Sequence, residues 1–273
     1  MKKKMISLLL VLALVVGICP AAFAGEMGVL EGSIVTENEM DEVLLQRGYP
    51  QIYLEHLAQS AKKSLYDKPD VVFAGATIST YDVETGQFTD YDISADGIAL
   101  CGQIPDSDLS LTWGIAQSTT SENVFVSYSY QWHSTAAHPG QDPIGVSWND
   151  QYFKMIDNSF YKVDYYYPNL GVGQAEILSE ARNYAAASDA GVTWYATQPA
   201  LWQNSAMNFG HGEFWLKPQE KGPFSTIFYG HYVHKTGGSG SISLVIPKYG
   251  FGFSVSGNAD YDELGNQRTF TYR

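Results

Sequence analysis

Phe209, His211, Glu213 and Trp215 alternate with Gly210, Gly212 and Phe214. In a strand, that spacing puts the imidazole and the carboxylate on one face. A second alternating run carries Ser225, Ile227, Tyr229 and His231, and a turn from Pro218 to Gly222 separates the two. If the runs form a hairpin, His211 lies opposite or diagonal to Tyr229 or His231 on the same face. His211, Glu213 and His231 would then offer zinc two imidazoles and a carboxylate, with one coordination position open. The competing reading is plain scaffold, because His and Glu are ordinary on the wet face of a strand and Trp215 and Ile227 favour partial burial. His234 points to the other face of a regular strand, so the His231-x-x-His234 spacing is not itself a metal motif there.

Aromatic residues give a second lead. Tyr165, Tyr166 and Tyr167 are consecutive, so at least one must face away from the others in a strand. Tyr166, Trp194 and Trp202 are the candidate ligand-binding residues, a stacking platform for sugar rings or another flat ligand. Against this stands the need of a sandwich for large side chains on both inner faces.

Other constellations are weaker. Cys101 lacks the local patterns of cysteine hydrolases and reads as a small buried hydrophobe. Ser239 is followed by Gly240 and Ser241, so the spacing of a nucleophile elbow fails. Asp92, Ser94, Asp96 and Gly97 imitate the start of a calcium loop, but Gln103 stands where that loop needs a bidentate Glu. Asp260, Asp262 and Glu263 before Gly265-Asn266 read as a hairpin turn. A carboxylate pair for glycoside hydrolysis is constrained in space and not in sequence, so 29 acids cannot be sorted by inspection. No cofactor motif is present, and no cofactor is expected.

The elements that would position these groups are mostly strands. Leu109, Leu111, Trp113 and Ile115 alternate with Ser110, Thr112, Gly114 and Ala116, the pattern of a half-buried strand. Val124, Val126, Tyr128, Tyr130 and Trp132 repeat it. Further strands are expected at 71–81, 87–94, 143–148, 160–167, 192–197, 208–216, 224–234, 241–246, 250–256 and 267–272, and the stretch 174–187 fits helix or strand. Before them, Thr36 and Glu39 form a capping box. Met40, Val43 and Leu44 follow at helical spacing up to Gly48, Pro50 opens a second helix, and a third runs from Ser60 to Asp67. None is long enough to be stable alone, so the segment should dock on the rest. The expected fold is mainly β: an antiparallel β-sandwich or barrel-like domain over 70–273, a helical segment over 25–69 and a leader over 1–24.

Gln46-Arg47-Gly48-Tyr49-Pro50-Gln51, with Leu54 and Leu57 after them, resemble a group of uncharacterised secreted bacterial proteins in which a short helical preface leads into a β-rich domain. The resemblance covers the helical segment only. It implies a Gram-positive-style exported protein and carries over no activity and no catalytic residue.

The leader itself is read from Lys2, Lys3 and Lys4, the apolar run Met5 to Ile18 and the triplet Ala22-Phe23-Ala24, the order of a cleavable signal peptide. Its apolar run is shorter than the about 20 residues a spanning helix needs, and a lipidated Cys19 is disfavoured by Ile18 before it and Pro20 after it. Cleavage would make the formal charge of −13 three units more negative and leave Cys101 without a disulfide partner in the chain. Nucleic acid is therefore an unsuitable partner, no membrane anchor is expected, and stability must come from burial, for which 19 tyrosines and 13 phenylalanines are ample. Two function classes fit: a non-enzymatic extracellular binding or surface-interaction protein, with carbohydrate or another extracellular ligand as partner, and a secreted hydrolase of polysaccharide or cell-wall material. A third, a pore-forming protein, rests only on Ser/Thr/Tyr-rich alternating strands. The secreted protein should begin at Gly25. Intact-mass measurement checks this, and a mass retaining an acylated Cys19 would contradict it.

Overall fold

Thr36 starts the first helix by the expected reciprocal cap: its hydroxyl accepts from the Glu39 N–H at 3.3 Å, and the Glu39 carboxylate accepts from the Thr36 N–H at 2.7 Å. The computed structural model describes residues 35–94, 104, 107–134, 140–167, 174–197, 206–246 and 252–273. The leader, Cys101, Trp202 and most of the calcium-like loop (Asp96, Gly97, Gln103) lie outside them. Helix α1 spans Glu37–Gln46, α2 Gln51–Glu55 and α3 Gln59–Tyr66. Gly48, at φ +84°, ends the first helical stretch, and the Tyr49 N–H closes back on the Leu44 carbonyl. Lys62 on α3 ties the helices together by reaching Glu37 and Asp41 on α1 at 2.7 and 3.0 Å.

Fifteen strands follow among the described residues: β1 Val71–Asp82, β2 Gln87–Ile93, β3 Leu109–Ser118, β4 Val124–Trp132, β5 Gln141–Trp148, β6 Phe153–Met155, β7 Tyr161–Tyr167, β8 Glu176–Ala181, β9 Ala186–Ser188, β10 Gly191–Thr197, β11 Ala206–Pro218, β12 Phe224–Gly238, β13 Ser241–Val245, β14 Gly252–Ser256 and β15 Ala259–Tyr272. The larger sheet runs β2-β1-β3-β4-β11-β7-β8, with β6 also on β11, and the smaller runs β15-β12-β5-β10-β9. A separate ribbon pairs β13 with β14. The described pairings are antiparallel, and neither sheet closes into a barrel.

One aromatic cluster fills the space between the sheets. Trp113, Tyr128, Trp132 and Phe214 come from the larger sheet, and Trp148, Trp194, Phe228 and Tyr232 from the smaller. The Trp194 indole lies edge-on to Tyr128, with centroids 6.3 Å apart. Gly212 on β11 makes room for it, since a Cβ there would stand 2.4 Å from the ring.

The helices cover the other face of the larger sheet. Leu44, Tyr49, Tyr53, Leu54, Leu57 and Leu65 pack on Val71, Phe73, Ile78, Ala116 and Phe125 in a second cluster. This docking corrects the half-buried reading of β3, whose Ser110, Thr112 and Ala116 are buried as well. Thr112 is satisfied there by donating to the His56 carbonyl at 2.8 Å.

Three local expectations change. The undecided stretch 174–187 holds no helix: it carries β8 and the start of β9, with a bend between them. The acidic group at 260–266 is no turn: it lies within β15, an edge strand, where polar side chains can point to water while Leu264 and Asn266 turn inward. The third change bears on the metal hypothesis, because β11 and β12 form no hairpin and belong to different sheets.

Trp113 is fully buried in the inter-sheet cluster. Trp113→Ala should lower stability by about 3–5 kcal/mol through the cavity it leaves. Urea unfolding checks this, and an unchanged midpoint would contradict the packing described.

Candidate functional site

Strand β11 turns Phe209, His211, Glu213 and Trp215 toward the helical layer and its glycines and Phe214 toward the sandwich core. Its neighbour β7 aligns Tyr161 with Glu213, Val163 with His211 and Tyr165 with Phe209, so these outward side chains extend the same surface. Facing them, Ser60 and Ser64 stand one turn apart on α3, and Lys68 follows just beyond its end. Between the helix and the strands lies an open cleft of about 480 Å³. Lys63 and Asp67 line it from the helix side, Glu180 and Arg182 from the end of β8, and Tyr161, Tyr165 and Trp215 supply aromatic walls.

At its base the polar atoms are interlocked. The His211 Nδ1 is 2.9 Å from the Ser60 hydroxyl oxygen, and its Nε2 is 3.3 Å from Oε2 of Glu213. Ser64 donates to the same Oε2. Lys68 donates to Oε1 at 3.0 Å and to the Ser64 hydroxyl at 2.5 Å, and its ammonium lies 4.7 Å from the Phe125 ring centroid. Glu213 is only 8 % exposed and His211 2 %. Burial would push the Glu213 carboxyl up, but His211, Lys68 and Ser64 outweigh it and hold the group at about 2. It is a fixed anion at neutral pH.

Above this base stand the aromatic and charged walls. The Arg182 guanidinium sits 5.3 Å over the Tyr161 ring. Tyr165 stacks on Phe209 with centroids 5.2 Å apart and planes 12° from parallel. Burial first, then nearby Glu180, raises the Tyr161 phenol to about 12, so it remains a neutral donor.

The structure brings together two of the three expected metal ligands. His211 and Glu213 meet in the cleft, but His231 lies on β12 in the smaller sheet, in register with Gly265 of β15. Burial lowers the His231 pKa to about 4, which keeps it neutral. Among the described residues, no group of three His, Cys, Asp or Glu side chains is arranged to hold a metal ion.

Of the proposed aromatic platform, Trp202 lies outside the described residues, and Tyr166 and Trp194 point to different places. Trp194 is enclosed between the sheets at 2 % exposure, as the packing alternative anticipated. Tyr166 faces away from Tyr165 and Tyr167, donating to Glu176 at 2.9 Å near the end of the larger sheet. The rings that do line the cleft include its neighbour Tyr165. Ser60, Ser64 and Lys68 were missed because their four-residue spacing resembles any solvated helix stripe; the one available signal was that this helix had to dock somewhere.

Two further polar clusters are enclosed and serve packing. Asp142 accepts from the Tyr232 hydroxyl at 2.5 Å and pairs with the His234 Nδ1 at 2.9 Å beside Trp132. Lys162 pairs with Asp164 at 2.7 Å and donates to the Tyr195 carbonyl at 2.8 Å, and Asp164 also accepts from Tyr130.

No protein-family model and no curated protein matches the chain. Among solved structures it is similar to Clostridium perfringens delta-toxin, at 6% identity over 74% of this chain and 90% of that one, with a TM-score of 0.32. A chain described as "Pore forming protein" shares 7% identity over 60% of this chain and 88% of its own, with a TM-score of 0.30. One described as "BspA_C_mut" shares 8% over 60% and 54%, also at 0.30. Likenesses this distant transfer neither an activity nor a site.

A carboxyl at about 2 when folded and near 4.5 when exposed stabilises the fold above pH 4.5, and the stabilisation disappears as pH falls from 4.5 to 2. Its size is on the order of 3 kcal/mol. Glu213→Gln should therefore be less stable than the parent by about that amount at pH 7, and the gap should close toward pH 2. Urea unfolding across that range checks this. A gap independent of pH would contradict the assignment.

Proposed function

We propose that the protein is an extracellular binding protein that takes a carbohydrate in the cleft between α3 and the strands β7, β8 and β11. The observation that carries this reading is the meeting, in one open cleft, of the aromatic side chains of Tyr161, Tyr165 and Trp215 with oriented charged groups. A sugar presents C–H groups on its ring faces and hydroxyls at its rim. Aromatic faces suit the first, and carboxylate and guanidinium groups suit the second. Arg182 and Glu180 stand at the cleft wall with opposite charges, able to donate to and accept from neighbouring hydroxyls. The signal-peptide pattern supports an extracellular ligand, and the acidic surface argues against nucleic acid.

Screening the secreted protein against a glycan array and cell-wall polysaccharides, followed by calorimetry on the strongest binder, tests the proposal. Tyr161→Ala and Arg182→Ala should each weaken binding about tenfold, since one stacking or charged contact is worth roughly 1–1.5 kcal/mol. Unchanged affinity in both variants would contradict the placement of the site.

A further inference from the structure

The cleft also contains a serine, a histidine and a carboxylate in series, and binding alone leaves that order unexplained. Ser60 Oγ lies 2.9 Å from His211 Nδ1, and Glu213 Oε2 lies 3.3 Å from the opposite ring nitrogen. That nitrogen makes no hydrogen bond, so the carboxylate acts on the ring through charge: an anion beside Nε2 favours the proton there and Nδ1 as the acceptor for the Ser60 hydroxyl. Nucleophilic serine catalysis commonly uses a comparable order, a hydroxyl on one ring nitrogen and a carboxylate beside the other. Glu213 is in turn held by Ser64 and Lys68, so the carboxylate cannot swing away. All three groups line the open cleft, which gives a substrate access.

We infer that Ser60, His211 and Glu213 form a hydrolytic centre for carboxylic esters, with O-acylated carbohydrate as the substrate class. The choice of substrate rests on the carbohydrate-binding reading, because an acyl group carried by a polyhydroxylated ligand is an O-ester. Ser60 Oγ adds to the ester carbonyl carbon while its proton passes to His211 Nδ1 and the carbonyl π electrons move to oxygen. Collapse of the adduct breaks the bond to the alcohol oxygen, which takes the proton from Nδ1 and leaves as a sugar hydroxyl. Water then adds to the acyl-Ser60 carbonyl, giving a proton to Nδ1. Release of the carboxylic acid returns that proton to Ser60 Oγ. Water is the sole co-reactant, and no electron transfer is involved.

The same chemistry makes Ser60 a target for a fluorophosphonate, which traps a serine activated by an adjacent imidazole. Three measurements on the secreted protein test the inference: peptide mapping after fluorophosphonate treatment, hydrolysis of p-nitrophenyl acetate, and acetate release from O-acetylated xylan. The expected result is one adduct, on Ser60, and acetate release slowed at least about a hundredfold in Ser60→Ala and in His211→Gln. Absence of a Ser60 adduct in the parent would overturn the inference whatever the variants do, and so would equal acetate release by parent and Ser60→Ala. The parent's adduct also keeps the test decisive if a variant fails to fold. Turnover of p-nitrophenyl acetate with no affinity for any polysaccharide would remove the carbohydrate reading and leave the hydrolytic centre. Polysaccharide binding with no adduct would do the reverse.

Discussion

A carboxylate taken out of water must be answered by charge and hydrogen bonds, or it will not stay ionised. Glu213 sits in that position, at the seam between the helical layer and the larger sheet. Its answers come from two directions: His211 lies two residues before it on the same strand, whereas Ser64 and Lys68 lie roughly 150 residues earlier in the chain. The seam can form only when the helical segment is docked. Docking therefore buries an apolar face, fixes the anion, orients the histidine and creates the cleft wall in one step.

The rest of the architecture makes this seam possible. A sheet with one wet face would leave Glu213 solvated and its pKa ordinary. Here the larger sheet is covered on both sides, by the smaller sheet through a core of Trp, Tyr and Phe and by the helices through Leu44, Tyr53, Leu54 and Leu65. The glycines of β11 contribute as well. Gly210 and Gly212 face the sandwich, where Tyr130 and Trp194 occupy the space their side chains would take. Aromatic packing on one face of β11 thus presses against the same strand that presents His211 and Glu213 on the other. Two other buried pairs among the described residues, Asp142 with His234 and Lys162 with Asp164, line no part of this cleft.

What could be read in the sequence divides along the range of the interactions. The alternation of Leu109 to Ile115 and of Val124 to Trp132, the Thr36–Glu39 cap and the stop at Gly48 are local patterns, and they specify strands and helices near where they stand. Pairing is not local. Pro218 to Gly222 looks like a hairpin turn, and yet β11 and β12 part into different sheets, each finding neighbours far along the chain. That is why alternation alone places His211 and Glu213 on one face but does not determine the neighbours of His231. Asp260 to Asn266 misled for a related reason, since an edge strand tolerates the polar residues that usually mark turns. Ser60, Ser64 and Lys68 carried no local signal, because their significance depends on a surface supplied by β11.

Glu213 and the end of the helical segment are energetically coupled across this seam. A double-mutant cycle between Lys68→Met and Glu213→Gln, read by urea unfolding at pH 7, measures that coupling directly. The expected coupling energy is about 1–3 kcal/mol, the range for a charge-assisted contact removed from water. Single-variant effects that add within about 0.3–0.5 kcal/mol would contradict it and reduce the seam to adjacency without attraction.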